Sequence, residues 1–246
     1  VLQQADFCLG IRFSGGKPDN MPGIKFWGNK QVNKIVSFVS KTKIYDASCG
    51  FRAYSKDTLL SLNLHGSFTY THETILDLLD KGFKVAQIPI TVLYFDAADF
   101  DSHHKFYSDL SIKPHIVVYA AGFLVDNQKA LTDFRGAKQM MEVNYMGGVS
   151  ILSIIAMDKS NTNLERIIGL SSLSGVRGRK SNFVYGSTKS AFTQFLAGLR
   201  QEIASRKIIV NALVIGYIRT KINEGLELNE SLIMEPDYVA KYIVNA

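Results

Sequence analysis

The spacing of apolar positions changes character near residue 94. Upstream of that point, residues 1–13 read as a short strand that runs into a glycine turn at Gly15-Gly16 and a loop through Pro22. Val32, Ile35, Val36 and Val39 recur at helical spacing and predict a helix over 27–42. A second helix is predicted from Thr71 to Lys81, with Gly82 as its C-terminal cap. Val85 to Phe95 is β-rich, and Pro89 within it points to an edge strand or a strand start.

Downstream, Ile116-Val117-Val118-Tyr119-Ala120 is a continuous apolar run of strand length, the pattern of a buried parallel strand. A long helix follows around 138–158, with Val149, Leu152, Ile155 and Ala156 on one side. Ile167 to Leu170 predicts a second buried strand, Asn182 to Ser205 a helix, and Ile208 to Ile215 a third strand. Strands alternating with long helices predict an α/β class, a parallel sheet with helices on both faces. No internal repeat or low-complexity linker interrupts the chain.

Composition narrows the picture. At 246 residues, 46% hydrophobic and 20% charged, the chain can bury one large core or two small ones and is not disordered. Cys8 and Cys49 are too few for a disulfide framework or a cysteine metal site, and they fit a reducing compartment. His103-His104 reads as solvated, no third ligand accompanies it, and no metal is expected. The net charge is +6, with 11 − 7 = +4 over residues 1–95 and 17 − 15 = +2 over 96–246. Without a run of like charges this excludes a nucleic-acid footprint, while the basic tilt of the first part suits an anionic lipid headgroup or a phosphorylated substrate. No window approaches the ~20 apolar residues of a bilayer span. The opening Val1-Leu2-Gln3-Gln4-Ala5-Asp6 lacks a start methionine and a signal-peptide layout, so truncation is expected.

The chemistry centres on Tyr185-Gly186-Ser187-Thr188-Lys189. Reducing a carbonyl with a hydride carrier needs a proton donor near the carbonyl oxygen, and a tyrosine with a pKa near 10 is a poor acid–base at neutral pH. A nearby cation favours the phenolate, and Lys189 lies four residues on, on the same helix face. Ile167-Ile168-Gly169-Leu170-Ser171-Ser172-Leu173-Ser174-Gly175 is a buried strand ending in a small polar turn, with Ser172 placed 185 − 172 = 13 residues before Tyr185. A strand-end serine and a following tyrosine can converge at the carboxyl edge of the sheet, where open α/β folds bind ligands.

At these spacings Ser172, Tyr185 and Lys189 resemble the catalytic serine, tyrosine and lysine of short-chain dehydrogenases/reductases, and Asn144 in Val143-Asn144-Tyr145-Met146-Gly147 matches the family's catalytic asparagine. The strand-end Asn-Asn-Ala-Gly element stands here as Tyr119-Ala120-Ala121-Gly122, with both asparagines replaced. The adenine-contacting aspartate matches Asp96, and the Pro-Gly-x-x-x-Thr segment matches Ile215-Gly216-Tyr217-Ile218-Arg219-Thr220, with its proline lost. The resemblance covers residues 94–246. It implies Tyr185 as general acid/base, Lys189 lowering its pKa and holding the nicotinamide ribose, Ser172 orienting the carbonyl, and Asn144 helping to position a water. It further implies Asp96, Ala120, Ala121 and Gly122 on the adenosine side of NAD or NADP, and Gly216, Ile218 and Thr220 near the nicotinamide and phosphates. The family's glycine-rich turn is not found upstream of Asp96, so the Rossmann-like sheet is expected to be incomplete.

Residues 1–93 have a different likeness. Gly10-Ile11-Arg12-Phe13, Trp27-Gly28-Asn29-Lys30, Asp46 to Tyr54, Phe68 to Glu73 and Ile88-Pro89-Ile90 follow the order of the carboxyl-side half of family 2 glycosyltransferases that act on polyprenyl phosphates. That resemblance implies Arg12 and Arg52 near phosphates and Glu73 near the acceptor, without the Asp-x-Asp element that sugar transfer needs.

The chain is therefore expected to be an α/β glycosyltransferase-like fragment over 1–93, joined to a reductase-like domain over 94–246 that is short at both ends. The leading function is oxidoreduction of a ketone or secondary alcohol on a small-molecule or lipid-linked sugar substrate. A glycosyltransferase and an inactive fusion remnant are the alternatives. The expected location is cytoplasmic, with the inner face of the membrane as the second choice through peripheral association, and a homo-oligomer is implied by the resemblance.

Overall fold

The computed structural model describes residues 5–18, 21–63, 70–220, 222, 229–236 and 238–240. The chain divides into two compact units, Val1–Tyr94 and Phe95–Ala246.

The first unit contains β1 (Phe7–Ile11), α1 (Gly23–Ser40), β2 (Arg52–Tyr54), α2 (Lys56–Ser61), α3 (Tyr70–Asp80) and β3 (Val85–Pro89). Its sheet has the order β2-β1-β3, with β1 antiparallel to β2 and parallel to β3. All five residues of the central β1 are buried. Phe7, Leu9, Val36, Ile44, Ala47, Ile75 and Leu78 form the core. Gly82 adopts φ +82°, the left-handed conformation that ends a helix without the penalty of a Cβ. β3 stops at Pro89, the Ile90 amide still donates to the Ile11 carbonyl at 2.9 Å, and residues 90–95 carry no strand. Of the four apolar positions that predict α1, Val36 is buried and Val32 packs against the core, while Ile35 and Val39 face solvent.

The two arginines of this unit brace its own loops. Arg12 donates through Nε and Nη2 to the Asp46 carboxylate at 2.8 and 2.9 Å. Arg52 donates to the carbonyls of Cys49, Thr71 and Ala47. Cys8 and Cys49 are both free thiols and buried.

The second unit contains α4 (Phe100–Ser108), β4 (Ile116–Tyr119), α5 (Asn127–Thr132), α6 (Phe134–Met141), a π-helical turn (Glu142–Met146), α7 (Gly147–Met157), β5 (Arg166–Ser172), α8 (Phe183–Glu202), β6 (Ile209–Ile215), β7 (Tyr217–Ile218) and β8 (Ile233–Met234). β4, β5 and β6 form a parallel sheet in that order, and β7 pairs with β8 in a separate two-stranded ladder. Tyr119, Ile167 and Val210 point to one face, where Tyr107, Ile151, Leu152, Ile155, Phe192 and Leu196 cover them. On the other face Ile168 is buried, but Ile116, Val118 and Ile209 are exposed. Helical cover on both faces, expected from the continuous apolar runs, therefore holds for one face only among the described residues. An apolar run records that a strand favours burial and does not specify what covers it.

Two further expectations need correcting. His103 is fully buried instead of solvated: Nε2 lies 2.8 Å from the Asp96 carbonyl, Nδ1 lies 2.9 Å from Ser150 Oγ, and the ring stacks on Phe95. A carbonyl only accepts, so Nε2 carries the hydrogen and Nδ1 accepts from the serine. His104 is exposed. The Phe134–Met157 run is also long and apolar enough, by length and composition, to cross a bilayer. In this fold it supplies core side chains, among them Met140, Leu152 and Ala156.

Candidate active site

Parallel pairing sets Ser172, the last residue of β5, opposite Ile215, the last of β6, so the strands end together. The segment after β4 leaves the sheet at the same edge, because Tyr119 pairs with Gly169 of β5. Ser172 Oγ accepts from the Ser174 amide at 3.2 Å and so starts the tight turn Leu173–Gly175. That turn lies directly on α8. A Cβ on Gly186 would stand 2.4 Å from the Ser174 carbonyl oxygen, and one on Gly175 would stand 2.7 Å from the Ser190 amide nitrogen. Only glycine lets turn and helix approach so closely.

This contact brings the strand-end serine to the helix that carries Tyr185 and Lys189. The Tyr185 hydroxyl lies near enough to the Ser172 hydroxyl to be influenced by it. Burial raises the Tyr185 pKa above its ordinary value, outweighing the lowering influence of the nearby Ser172 hydroxyl. Lys189 is buried, and its Nζ lies 5.9 Å from the Tyr185 ring centre and donates to the Leu170 carbonyl at 2.9 Å. Desolvation lowers its pKa to about 8. The expected depression of the tyrosine pKa by the lysine is thus not what the geometry gives: the ammonium is engaged with a carbonyl, and burial of the phenol dominates.

Asn144 sits in the π-helical turn between α6 and α7 and is completely buried. Its Oδ1 accepts from the Phe123 amide at 2.7 Å, and its Nδ2 donates to the Phe123 carbonyl at 2.9 Å and to Thr188 Oγ1 at 3.1 Å. Both side-chain N–H groups are engaged, so the residue ties the segment after β4 to α8. The π-helical turn sends the Gly147 amide to the Glu142 carbonyl, and the Tyr119 hydroxyl donates to the Val143 carbonyl at 2.6 Å. Such turns insert one extra residue into a helix and re-aim its side chains. Thr188 and Tyr119 did not stand out in the sequence. Thr188 lies three residues after Tyr185, which places it on the same face of α8.

The other positions are more dispersed. From the place a Gly122 Cβ would occupy, Asn144 Oδ1 and Lys189 Nζ are both 4.0 Å away and Ile222 is 3.7 Å away. Ala120 is exposed and Ala121 half-buried just past β4. Gly216 follows β6 and lies against Leu173 and Met234, Ile218 belongs to β7, and Thr220 is exposed with its hydroxyl directed to the Ile218 carbonyl. Asp96 is exposed and its Oδ1 accepts from the Ala98 amide, a turn-forming contact. No group of three or more His, Cys, Asp or Glu side chains suited to a metal occurs among the described residues.

A family model described as short chain dehydrogenase matches residues 69–231, reaching upstream of the expected boundary near 94 and into the part likened to a glycosyltransferase. An uncharacterized oxidoreductase of Mycobacterium tuberculosis strain H37Rv is 28% identical over 136 residues, which is 54% of this chain and 54% of that protein. Carbonyl reductase family member 4 of Xenopus tropicalis is 26% identical over 177 residues, covering 65% of this chain and 75% of its own. The chain spans about half the length of the mycobacterial and staphylococcal relatives it matches, at 54% and 57%. A solved short-chain dehydrogenase from Sphingobium yanoikuyae in complex with NADPH superposes with a TM-score of 0.55 at 17% identity, over 73% of this chain and 71% of that one, a likeness of fold.

Proposed function

This chain belongs to the short chain dehydrogenase family, and from that premise we propose that residues 95–246 reduce a ketone to a secondary alcohol, or catalyse the reverse, with NAD or NADP. The observation that carries the reading is the close approach of the turn after Ser172 to α8 at Gly186, which sets Ser172 beside Tyr185, with the buried Lys189 one helical turn further on. When bound, the nicotinamide supplies the hydride, and the protein supplies placement and the proton. Tyr185, kept protonated by burial, donates to the carbonyl oxygen, and Ser172 hydrogen-bonds the same oxygen. Asn144 is a positioning residue that holds the wall of the site.

The side chains fit one end of the cofactor. Lys189 has three hydrogens and uses one on Leu170, which leaves donors for ribose hydroxyls beside Gly122. Asp96, Ala120 and Ala121 are assigned to the adenosine side, and Gly216, Ile218 and Thr220 to the nicotinamide and phosphates. Residues 95–246 carry no glycine-rich strand-to-helix turn, so no amide cradle for the pyrophosphate is assigned.

The pH dependence follows from Lys189. Its ammonium persists below about pH 8 and is lost as pH rises through that value. Ketone reduction, which needs phenol and ammonium together, is expected to have a level kcat/KM below about pH 8 and a declining one above it. Initial rates of NADPH oxidation across the range check this; a rate that climbs between neutral and alkaline pH would contradict it. The same shift makes Lys189 a stability term of known sign. The folded protein holds fewer protons than the unfolded chain between about pH 8 and the ordinary lysine value of 10.5, so its contribution to stability rises with pH across that window.

The substrate class proposed is a phosphate-bearing keto-sugar, including a lipid-linked one. Support comes from Arg177, Arg179 and Lys180, three exposed cations in the loop between Ser172 and Tyr185. Replacing Arg177 and Arg179 by alanine is expected to raise KM for a phosphorylated keto-sugar by about tenfold, as loss of a charge-assisted contact would, and to leave an unphosphorylated ketone unaffected. Equal effects on both substrates would remove the phosphate assignment. Assembly of copies through the long helices belongs to the same proposal.

A second reading concerns residues 1–93, taken as part of a family 2 polyprenyl-phosphate glycosyltransferase. It is favoured by their forming a separate compact unit with its own sheet. These residues contain no Asp-x-Asp, and Arg12 and Arg52 are engaged within the unit, so the fragment is read as a folded module without transfer activity. A chain inert in both respects would bind cofactor weakly without turnover.

A further inference from the structure

The opening helix of the first unit is apolar on the wrong side. Asn33 and Val36 are its buried residues, yet on the opposite side Ile24, Trp27, Ile35, Phe38 and Val39 are 58 to 86% exposed. With 3.6 residues per turn these five fall within one arc of about 120° that runs the length of the helix. A surface helix of a globular fold carries polar residues there.

Charge identifies the occupant. Lys25, Lys30, Lys34, Lys41 and Lys43 are all exposed, and residues 21–45 contain no aspartate or glutamate. On the helix, Lys30 and Lys34 lie along one border of the apolar arc and Lys25 along the other. An open hollow lined by Phe38, Val39, Lys41, Thr42 and Lys43, among others, continues the surface past the C-terminal end of α1. An aromatic-bearing apolar stripe, interrupted by Gly28 and Gln31 and with lysines as the charged residues at its borders, is the pattern of a helix lying in the plane of an anionic bilayer surface. A protein partner would need acidic side chains at both borders as well as an apolar groove.

We propose that α1 is a docking surface for anionic lipid, with Ile24, Trp27, Ile35 and Phe38 entering the headgroup region and the lysines meeting phosphates. The surface is independent of the reductase reading and stands or falls separately.

Trp27 is the single tryptophan of the chain and reports the event directly. The full chain is mixed with phosphatidylcholine vesicles containing phosphatidylserine and, separately, with phosphatidylcholine alone. Co-sedimentation and a blue shift of Trp27 fluorescence are expected with the anionic vesicles only, reversed by salt. Lys30→Gln with Lys34→Gln is expected to weaken partitioning by about fivefold per charge removed. Phe38→Ser should weaken it by about thirtyfold. Both variants alter exposed side chains, and an unchanged far-ultraviolet circular dichroism spectrum shows that they remain folded. Equal binding to neutral vesicles overturns the proposal. So does a concentration-dependent blue shift without lipid, which would make a second copy the occupant, and so does failure of the wild-type chain to bind either vesicle.

Discussion

Tyr185→Phe is expected to lower kcat/KM for carbonyl reduction by about 10²- to 10⁴-fold, the range lost when a positioned proton donor is removed, while the fold persists. The substitution deletes one oxygen, and the neighbouring Ser172 keeps its bond from the Ser174 amide. Cofactor binding should change little, because Lys189 keeps its place on the Leu170 carbonyl. Single-turnover rates at saturating cofactor, with binding measured separately, distinguish loss of the chemical step from loss of affinity. A phenylalanine variant as fast as the parent would remove Tyr185 from the mechanism and leave the site without a proton donor.

The second large effect comes from a glycine. Gly186→Ala would set a methyl group 2.4 Å from the Ser174 carbonyl oxygen, against backbone that cannot rotate away. The turn and the first turn of α8 must separate, at a cost of about 3 kcal/mol, a fall in melting temperature of roughly 10 °C for a unit of this size. The separation also draws Ser172 away from Tyr185, so the rate should fall with the stability. Gly198 offers a control on the same helix. Nothing lies within 4 Å of the place its Cβ would take, so Gly198→Ala should stabilise by up to about 1 kcal/mol through helix propensity. Thermal denaturation of the two variants side by side tests the close approach: equal melting temperatures would mean that turn and helix do not touch.

Much of the second unit was legible because its signals are local. Strand runs at Ile167–Leu170 and Ile208–Ile215 lie within β5 and β6 to within two residues, and the helix predicted from Asn182 to Ser205 is α8 with slightly shorter ends. Ser172, Tyr185 and Lys189 could be named together because a strand end and one helical turn define their spacing. Asn144 could be named as well, but its partners could not: Phe123 and Thr188 are 21 and 44 residues away, and a side-chain amide says nothing about where its hydrogen bonds go. His103 was misjudged for a related reason. A histidine beside another histidine on a polar helix looks solvated until a carbonyl, a serine and an aromatic ring close around it.

The tyrosine pKa shows the limit most sharply. Spacing of four residues places a cation on the same helix face, which argues for a depressed value. Burial acts on both groups at once, lowering the lysine and raising the tyrosine. Desolvation depends on every neighbour in three dimensions, and no short motif encodes it.

By itself the amino-acid sequence determined the alternation of strand and helix after residue 94 and the spacing of Ser172, Tyr185 and Lys189. These depend on backbone periodicity and on separations of a few residues. The tertiary structure alone decided that helices cover the sheet on one face only among the described residues, that Gly186 allows turn and helix to meet, that Arg12 and Arg52 brace their own unit, and that α1 presents Ile35 and Phe38 outward. Each of those outcomes depends on which surfaces meet, and the free energy of burial belongs to pairs of surfaces far apart in the chain.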